Sequence, residues 1–221
     1  MRQLKDQLYA QVARIGKVMA SPKRLELVEL LCQGEKSVEL LAEQAGISVK
    51  LTSAHLRELR QGRLVEARKE GRHVLYRLAD AEVANLWVVL RSVAEARLAE
   101  LQQALSAMLD PEEALLPLDR VEVLRRAAAG EVIVLDVRPA QEYDTAHLPH
   151  ARSLPVGELR QRLSELPPDV PVVAYCRGPY CLMARRAVEL LRAEGRSARH
   201  LSDGVAEWRA RGLPIEVRVP A

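Results

Sequence analysis

Apolar residues change their spacing midway along this chain, and that change restricts the fold more than anything else in it. Over the first hundred or so residues they recur at helical steps: Leu4, Leu8, Val12, Ile15 and Met19, then Leu25, Val28 and Leu31, and later Val83, Trp87, Leu90, Ala94, Leu98, Leu101, Leu105 and Met108. From residue 132 they come instead as continuous β-branched runs, 132–137 and 171–175, with a third run at 198–201. Amphipathic helical stretches at 119–129, 156–166 and 182–194 lie around and between them. A helical region and an alternating strand-and-helix region need different layer architectures, so the 221 residues are read as a mainly α domain followed by an α/β domain. Buried strands separated by helices imply a parallel sheet covered on both faces. The segment 110–119 between the regions is acidic and holds Pro111 and Pro117, as a semi-rigid linker would. The expected boundaries are 1–110, a linker at 111–117, and 118–221.

Punctuation inside the first region is dense. Ser21-Pro22 supplies an N-cap followed by proline at the first helical position, and Gly34 closes that helix. Ser37 caps a short helix through Leu40, Leu41 and Ala45 that ends at Gly46, and Ser48 caps another through Thr52, Leu56 and Leu59 to Gly62. Residues 64–68, a Glu70-Gly71 turn and the alternating Val74, Tyr76 and Leu78 read as a hairpin. Helix, turn, helix, hairpin is the order of a winged helix-turn-helix.

Charge agrees with that order. The net of +3 is the sum of unlike contributions: residues 1–80 carry fifteen Lys or Arg against ten Asp or Glu, and residues 81–221 eighteen against twenty. Within the first region, 48–77 alone holds eight basic residues against Glu58, Glu66 and Glu70, the footprint of a polyanion-binding element. On the helix after Ser48, Thr52, Leu56 and Leu59 share one face, while Lys50, Ser53, Arg57 and Arg60 recur on the opposite one. Such a helix can enter the major groove of double-stranded operator DNA, with Lys50, Ser53 and Arg57 reaching base edges or phosphates. Arg68, Lys69, Arg72 and His73, around the wing turn, would supply mostly phosphate contacts, so affinity should fall steeply with salt. His55, between the faces, is read as a packing residue.

The series from Val83 to Met108 predicts one helix over 81–109, about 40 Å long at roughly 1.5 Å per residue. So small a domain cannot cover it. Its expected partner is a second copy of the chain, giving a homodimer through residues 1–19 and 81–109 with two recognition helices facing successive major grooves.

Composition removes several classes. With two Trp, five Tyr and no Phe there is little to build a base-stacking surface for single strands. No apolar run approaches the roughly 18 residues of a membrane span, and the start of the chain lacks an apolar signal core, so a cytoplasmic protein without membrane contact is expected. Three cysteines, Cys32, Cys176 and Cys181, make no disulfide framework. Cys32, near the end of an apolar helix, is read as a core residue.

In the second region the strand at 172–175 runs straight into Cys176-Arg-Gly-Pro-Tyr-Cys181 and then a helix. That places Cys176 at a helix N-terminus, where backbone N–H groups and the helix dipole favour an anion and lower a thiol pKa. Gly178 and Pro179 let the loop curl, Arg177 adds positive charge, and Cys181 lies across the curl as a resolving thiol.

Two resemblances follow from these residues. Ala20-Ser-Pro-Lys-Arg-Leu, Ala45-Gly-Ile-Ser, Ser53-Ala-His-Leu-Arg-Glu-Leu and Glu70-Gly-Arg-His-Val-Leu-Tyr resemble the ArsR-type winged-helix repressors over residues 10–100. The resemblance implies a homodimeric repressor that leaves its operator when an inducer binds. Many relatives sense metals through a Cys-x-Cys pair or through Asp and His on the last helix. Here the corresponding places read Ser37-Val38-Glu39 and a helix without Cys or His, so no metal site is expected. Leu135-Asp-Val-Arg-Pro-Ala-Gln-Glu-Tyr143, Ala146-His-Leu-Pro-His-Ala151, the Cys176–Cys181 loop and Leu201-Ser-Asp-Gly-Val-Ala-Glu-Trp208 resemble the successive motifs of the rhodanese, or sulfurtransferase, domain over 118–216. This implies that Cys176 takes sulfane sulfur from a small donor, carries it as a persulfide and hands it to a thiol acceptor, without a cofactor. Tyr180 completes the active loop with Arg177 and Gly178, and Asp136, Arg138 and Glu142 fall on supporting positions. The chain departs from the pattern at Ala146 and His150, where glycines are usual, and at Cys181, where Arg or Ser is common.

The resulting expectation is a DNA-binding repressor that senses or processes reactive sulfur. A sulfurtransferase merely tethered to DNA is the alternative, and a metal- or arsenic-responsive repressor a second, disfavoured one.

Overall fold

The computed structural model describes residues 1–108 and 119–217. The chain divides into two compact units, Met1–Trp87 and Val88–Ala221. The linker expected at 111–117 lies outside the described residues.

The first unit runs α1 (Arg2–Met19), α2 (Pro22–Leu31), β1 (Lys36–Ser37), α3 (Val38–Ala45), α4 (Val49–Gln61), β2 (Val65–Glu70) and β3 (His73–Leu78), and ends within α5 (Ala81–Arg97). The three strands form an antiparallel sheet in the order β1-β3-β2. The hairpin closes across a left-handed Gly71 (φ 59°), with Glu70 opposite His73. Ser37 and Ser48 cap α3 and α4 by accepting the backbone N–H of Leu40 and Leu51, bonds each worth about 1 kcal/mol. Leu27, Leu41, Leu56 and Leu59 have no exposed surface and form the centre of the unit, each contributing about 1.5–3 kcal/mol by burial. Gly46 closes α3 in the left-handed conformation (φ 62°), as its position predicts. Gly62 does not: its φ is −76°, and the left-handed residue is Arg63 (φ 59°). Gly62 is needed for close packing instead, because a Cβ there would come within 2.9 Å of the Val18 side chain on α1.

The second unit holds the rest of α5, α6 (Ala99–Met108), α7 (Arg120–Ala128), β4 (Ile133–Asp136), α8 (Ala140–Thr145), β5 (Arg152–Ser153), β6 (Val172–Tyr175), α9 (Met183–Ala193), β7 (Ala198–Leu201) and α10 (Val205–Ala210). All strand pairs are parallel, in the order β5-β4-β6-β7. Alternate residues of each strand serve opposite faces: Ile133, Leu135, Val172 and Ala174 pack in one core, and Val132, Val134, Val173 and Tyr175 in the other. Continuous apolar runs are thus what a sheet buried on both sides requires.

Four expectations need correction. The helix at 156–166 is absent: after Pro155 the chain makes turns through Gly157 and one short 3₁₀ turn, Leu163–Glu165, while still burying Leu159 and Leu166. Glycine near the start of so short a stretch costs helix propensity, and two buried leucines satisfy the same pattern as turns. The single helix over 81–109 is two helices interrupted at Leu98, where the Gln102 side chain donates to the Glu95 carbonyl. The apolar series along them also divides: Val83 and Trp87 are buried within the chain, and the exposed apolar line is Leu86, Val89, Leu90 and Val93. Cys32 is half-buried rather than a core residue.

Candidate functional site

Two groups of expected functional residues are placed by these elements. The first lies on α4 and the wing. Helical spacing puts Thr52, Leu56 and Leu59 inward, leaving Lys50, Arg57 and Arg60 exposed and Ser53 half-buried on the outer side. His55 is half-buried between them, and Glu58 is also exposed on this helix. On the wing, Lys69, Arg72 and His73 are exposed. Arg68 is occupied: its Nε donates to both carboxylate oxygens of Glu35 (2.8 and 3.0 Å), and its guanidinium also pairs with Glu70. Arg77 is similarly paired with Glu66 (2.7 Å).

The second group surrounds the loop that leaves the carboxyl end of β6, the position at which open parallel sheets bind ligands. Asp136 at the end of β4 has no exposed surface, and Arg138 is 1% exposed. The Arg138 guanidinium donates to Asp136 through Nε (2.9 Å) and Nη2 (2.5 Å) and to the Ala146 carbonyl (2.8 Å). Tyr175 at the end of β6 donates its hydroxyl proton to Asp136 (2.5 Å) and accepts the backbone N–H of Leu148 (3.1 Å). Burial alone would push the Arg138 guanidinium toward neutrality; the hydrogen-bonded carboxylate reverses this and raises its pKa. The network joins the ends of β4 and β6 immediately before the cysteine loop. Asp136 and Arg138 thus bond to each other and to Tyr175 at the base of the loop.

Within the loop, Arg177 donates to buried Glu142 of α8 (2.7 Å from Nη2). Gly178 has φ 153°, and a Cβ there would lie 3.3 Å from the Glu207 carboxylate and 3.4 Å from Arg91 Nη1. Gly204 is required more strictly, since its Cβ would fall 2.6 Å from the carbonyl oxygens of Cys176 and Arg177. Glu207, 1% exposed, accepts the Gly204 N–H (2.6 Å) and pairs with Arg91 of α5 (2.9 Å). Arg91 is itself buried, pairs also with Glu95 (3.2 Å), and sits over the ring of half-buried Tyr180 (5.6 Å). The cysteine loop is thus packed against Gly204, Glu207 and Arg91.

Cys176 is 1% exposed, and its Sγ donates toward the Cys181 carbonyl at 3.2 Å. Cys181 is half-buried. The two thiols also hydrogen-bond to each other, the largest influence on both. That bond pushes the Cys176 thiol well above its ordinary value, with burial adding to the effect. It brings Cys181 down to about 6 against the opposing effect of burial, assisted by the backbone at Arg177 and Met183 and by the Arg177 charge. Cys181 is thus the more acidic thiol of the pair, whereas the loop's position at a helix N-terminus predicts this of Cys176.

Comparison with known proteins agrees with both halves. Residues 21–67 match the family model "Bacterial regulatory protein, arsR family", and residues 119–211 match "Rhodanese-like domain". The HTH-type transcriptional regulator Rv0324 of Mycobacterium tuberculosis is 45% identical over 217 residues, covering 98% of this chain and 95% of that protein. The chain belongs to the arsR family of bacterial regulatory proteins. A probable mercury resistance operon repressor of Streptomyces lividans is 35% identical over 82 residues, 37% of this chain and 66% of that one. Among solved structures, a homodimeric winged helix-turn-helix DNA-binding domain from Mycobacterium bovis is 43% identical with a TM-score of 0.41, covering 43% of this chain and 89% of that one.

This ArsR-family regulator thus joins a winged helix-turn-helix to a rhodanese-like domain. Among the described residues no group of His, Cys, Asp and Glu is placed to hold a metal ion, and no helix is long and apolar enough to cross a membrane. Sequence reasoning missed Arg91, Glu207 and Gly204. For Arg91 a signal existed: it is the one charged residue between Glu82 and Glu95 in an otherwise apolar or neutral stretch of helix. In the second unit a cleft is lined by Cys181, Arg91, Arg120, Arg185, Arg211 and Asp203, among others.

Proposed function

We propose that this ArsR-family regulator is a cytoplasmic homodimeric repressor whose DNA affinity responds to reactive sulfur at the Cys176–Cys181 pair, with Cys176 carrying the persulfide. The observation that carries the reading is the packing of the cysteine loop against Arg91. That residue lies on α5, the helix that begins in the first unit and continues into the second, so a change in loop shape has this helix to act on. Sulfur added at Cys176 enlarges a buried loop whose backbone lies against Gly204 and whose Tyr180 ring lies under the Arg91 guanidinium. The loop's two sulfur states then favour different settings of α5, which is what coupling to DNA binding requires.

DNA recognition is assigned to Lys50, Ser53, Arg57 and Arg60 of α4 with Lys69, Arg72 and His73 of the wing; Arg68 serves mainly to hold the wing to Glu35. Dimerisation is assigned to the exposed apolar lines Leu4, Leu8 and Val12 of α1 and Leu86, Val89, Leu90 and Val93 of α5. The test is operator binding with and without inorganic polysulfide, for wild type and Cys176→Ser. Release by polysulfide in the wild type and not in the variant is expected; equal affinity in all four conditions removes sensing.

Sulfur transfer as an enzymatic activity is a second reading, supported by the cleft that reaches Cys181. Catalytic turnover of thiosulfate to an added thiol, with DNA affinity unchanged, would favour it over sensing.

A further inference from the structure

We propose that Cys181 is the receiving thiol of this site: it takes sulfane sulfur from an anionic donor held in the arginine-bearing cleft and passes it inward to Cys176. The inference rests on the reactive-sulfur reading above and adds an order of events and a class of donor to it.

Access comes first. Cys176 is 1% exposed, so a donor of several heavy atoms has no line of approach to its sulfur. Cys181 is half-buried and forms part of the cleft wall. Attack on a disulfide or sulfane bond requires the thiolate, the breaking bond and the leaving sulfur to lie nearly in line, and only Cys181 has open space for that. Charge comes second. The lining of the cleft includes Arg91, Arg120, Arg185 and Arg211 with Glu95 and Asp203. Arg91 is held by Glu95 and Glu207, but Arg120 and Arg211 share the single carboxylate of Asp203 and the pair of Arg185 with Glu189 is exposed, so a small anion such as thiosulfate or a polysulfide can compete for these groups. Arg177, the arginine next to Cys176, is held by buried Glu142, and its charge favours the Cys181 thiolate. Orientation comes third. The Cys176 thiol donates toward the Cys181 backbone carbonyl at 3.2 Å, and the two thiol side chains interact with each other, so the receiving and accepting groups lie within one curl of the loop. Proton location agrees with all three, since Cys181 is the more acidic of the pair.

The chemistry balances without an outside oxidant. The Cys181 thiolate attacks the outer sulfane sulfur of the donor; the donor's S–S bond breaks, and its electron pair leaves on sulfite, or on the shortened polysulfide. Cys181 then carries a persulfide anion. Cys176 attacks the outer sulfur of that persulfide, the bond to Cys181 Sγ breaks, and the Cys176 proton passes to the departing Cys181 sulfur. One sulfur atom has moved from Cys181 to Cys176, and the charge now lies on the Cys176 persulfide.

The full-length protein is mixed with sodium tetrasulfide or thiosulfate, quenched with an alkylating agent at successive times, and read by peptide mass spectrometry. Persulfide is expected on Cys181 before Cys176 in the wild type, to accumulate on Cys181 in Cys176→Ser, and to load Cys176 at least about tenfold more slowly in Cys181→Ser. Loading of Cys176 in Cys181→Ser at the wild-type rate overturns the relay and leaves the sulfur reading standing; so does label reaching Cys176 first. Absence of persulfide from both cysteines of the wild type overturns the sulfur reading itself. A measurement without variants guards against misfolding: iodoacetamide is expected to modify Cys181 of the wild type at least about tenfold faster than Cys176, and equal or reversed rates overturn the proposal.

Discussion

Removing the charge of Asp136 isolates what its network does. Asp136→Asn keeps the shape and leaves an acceptor for Tyr175, but it takes from the Arg138 guanidinium, 1% exposed, the carboxylate that it hydrogen-bonds through Nε and Nη2. Breaking a buried ion pair from one side costs about 3–5 kcal/mol, because the remaining charge is neither solvated nor paired. For a domain of this size each kcal/mol moves the unfolding midpoint by about 3–6 °C, so a fall of about 9–30 °C is expected. The chain has two compact units, so calorimetry of the full-length protein should show the drop in the transition of the second unit only. The double variant Asp136→Asn/Arg138→Met removes both charges and should recover most of the loss, since apolar replacement of a buried pair is often neutral. Below the shifted midpoint, persulfide formation per folded molecule should be close to wild type, as the two residues bond to each other and to Tyr175 at the base of the loop. A loss under about 1 kcal/mol, or a double variant less stable than the single one, would refute the reasoning, because the charge would then not be confined.

Other perturbations separate the remaining roles. Arg57→Ala and Arg60→Ala should each weaken operator binding and lower the slope of log affinity against log salt by about 1, while Arg68→Ala, already paired with Glu35, changes the slope less; fluorescence anisotropy across a salt series measures this. Leu8→Glu or Val93→Glu places a charge in an exposed apolar line and should give a monomer in sedimentation analysis with weakened DNA binding. Because the Cys181 pKa is lowered to about 6, its alkylation rate should rise with pH through that value and level off by neutrality. The hydrogen bond from Cys176 is the chief cause, so Cys176→Ala should move that midpoint upward. Gly204→Ala drives a methyl group into the carbonyl oxygens of Cys176 and Arg177 and should cost about 1–3 kcal/mol while suppressing persulfide formation, read by thermal unfolding and mass spectrometry.

Local signals made most of the architecture legible. Ser37, Ser48 and Gly46 act where their neighbours imply, because capping is decided within a few residues. The strands of the second unit were visible because burial on both faces leaves no polar alternation to confuse them. Gly62 and Leu98 were not legible in the same way. The first answers to Val18, far away in sequence, and the second to a side chain that takes over a backbone carbonyl. His150 shows the converse: it stands where related domains usually carry glycine, and its φ of 62° explains why glycine is usual there.

The cysteine loop shows most clearly where sequence reasoning stops. Its position at the end of β6 and before α9 follows from the chain itself, and so does its capacity to bind an anion. Which sulfur holds the charge depends instead on the partner of each thiol and on solvent access. Cys176 is enclosed by the strand it ends and by Gly204, whereas Cys181 opens on the cleft. A helix N-terminus can stabilise a thiolate only if burial does not cost more, and at Cys176 burial and the neighbouring sulfur together outweigh it. On the reactive-sulfur reading proposed above, a sulfur atom added at buried Cys176 loads the loop that contains Gly178, which lies beside the Glu207–Arg91 pair. On that reading, the burial of Cys176 that slows its reaction also carries the effect of its load toward Arg91 of α5.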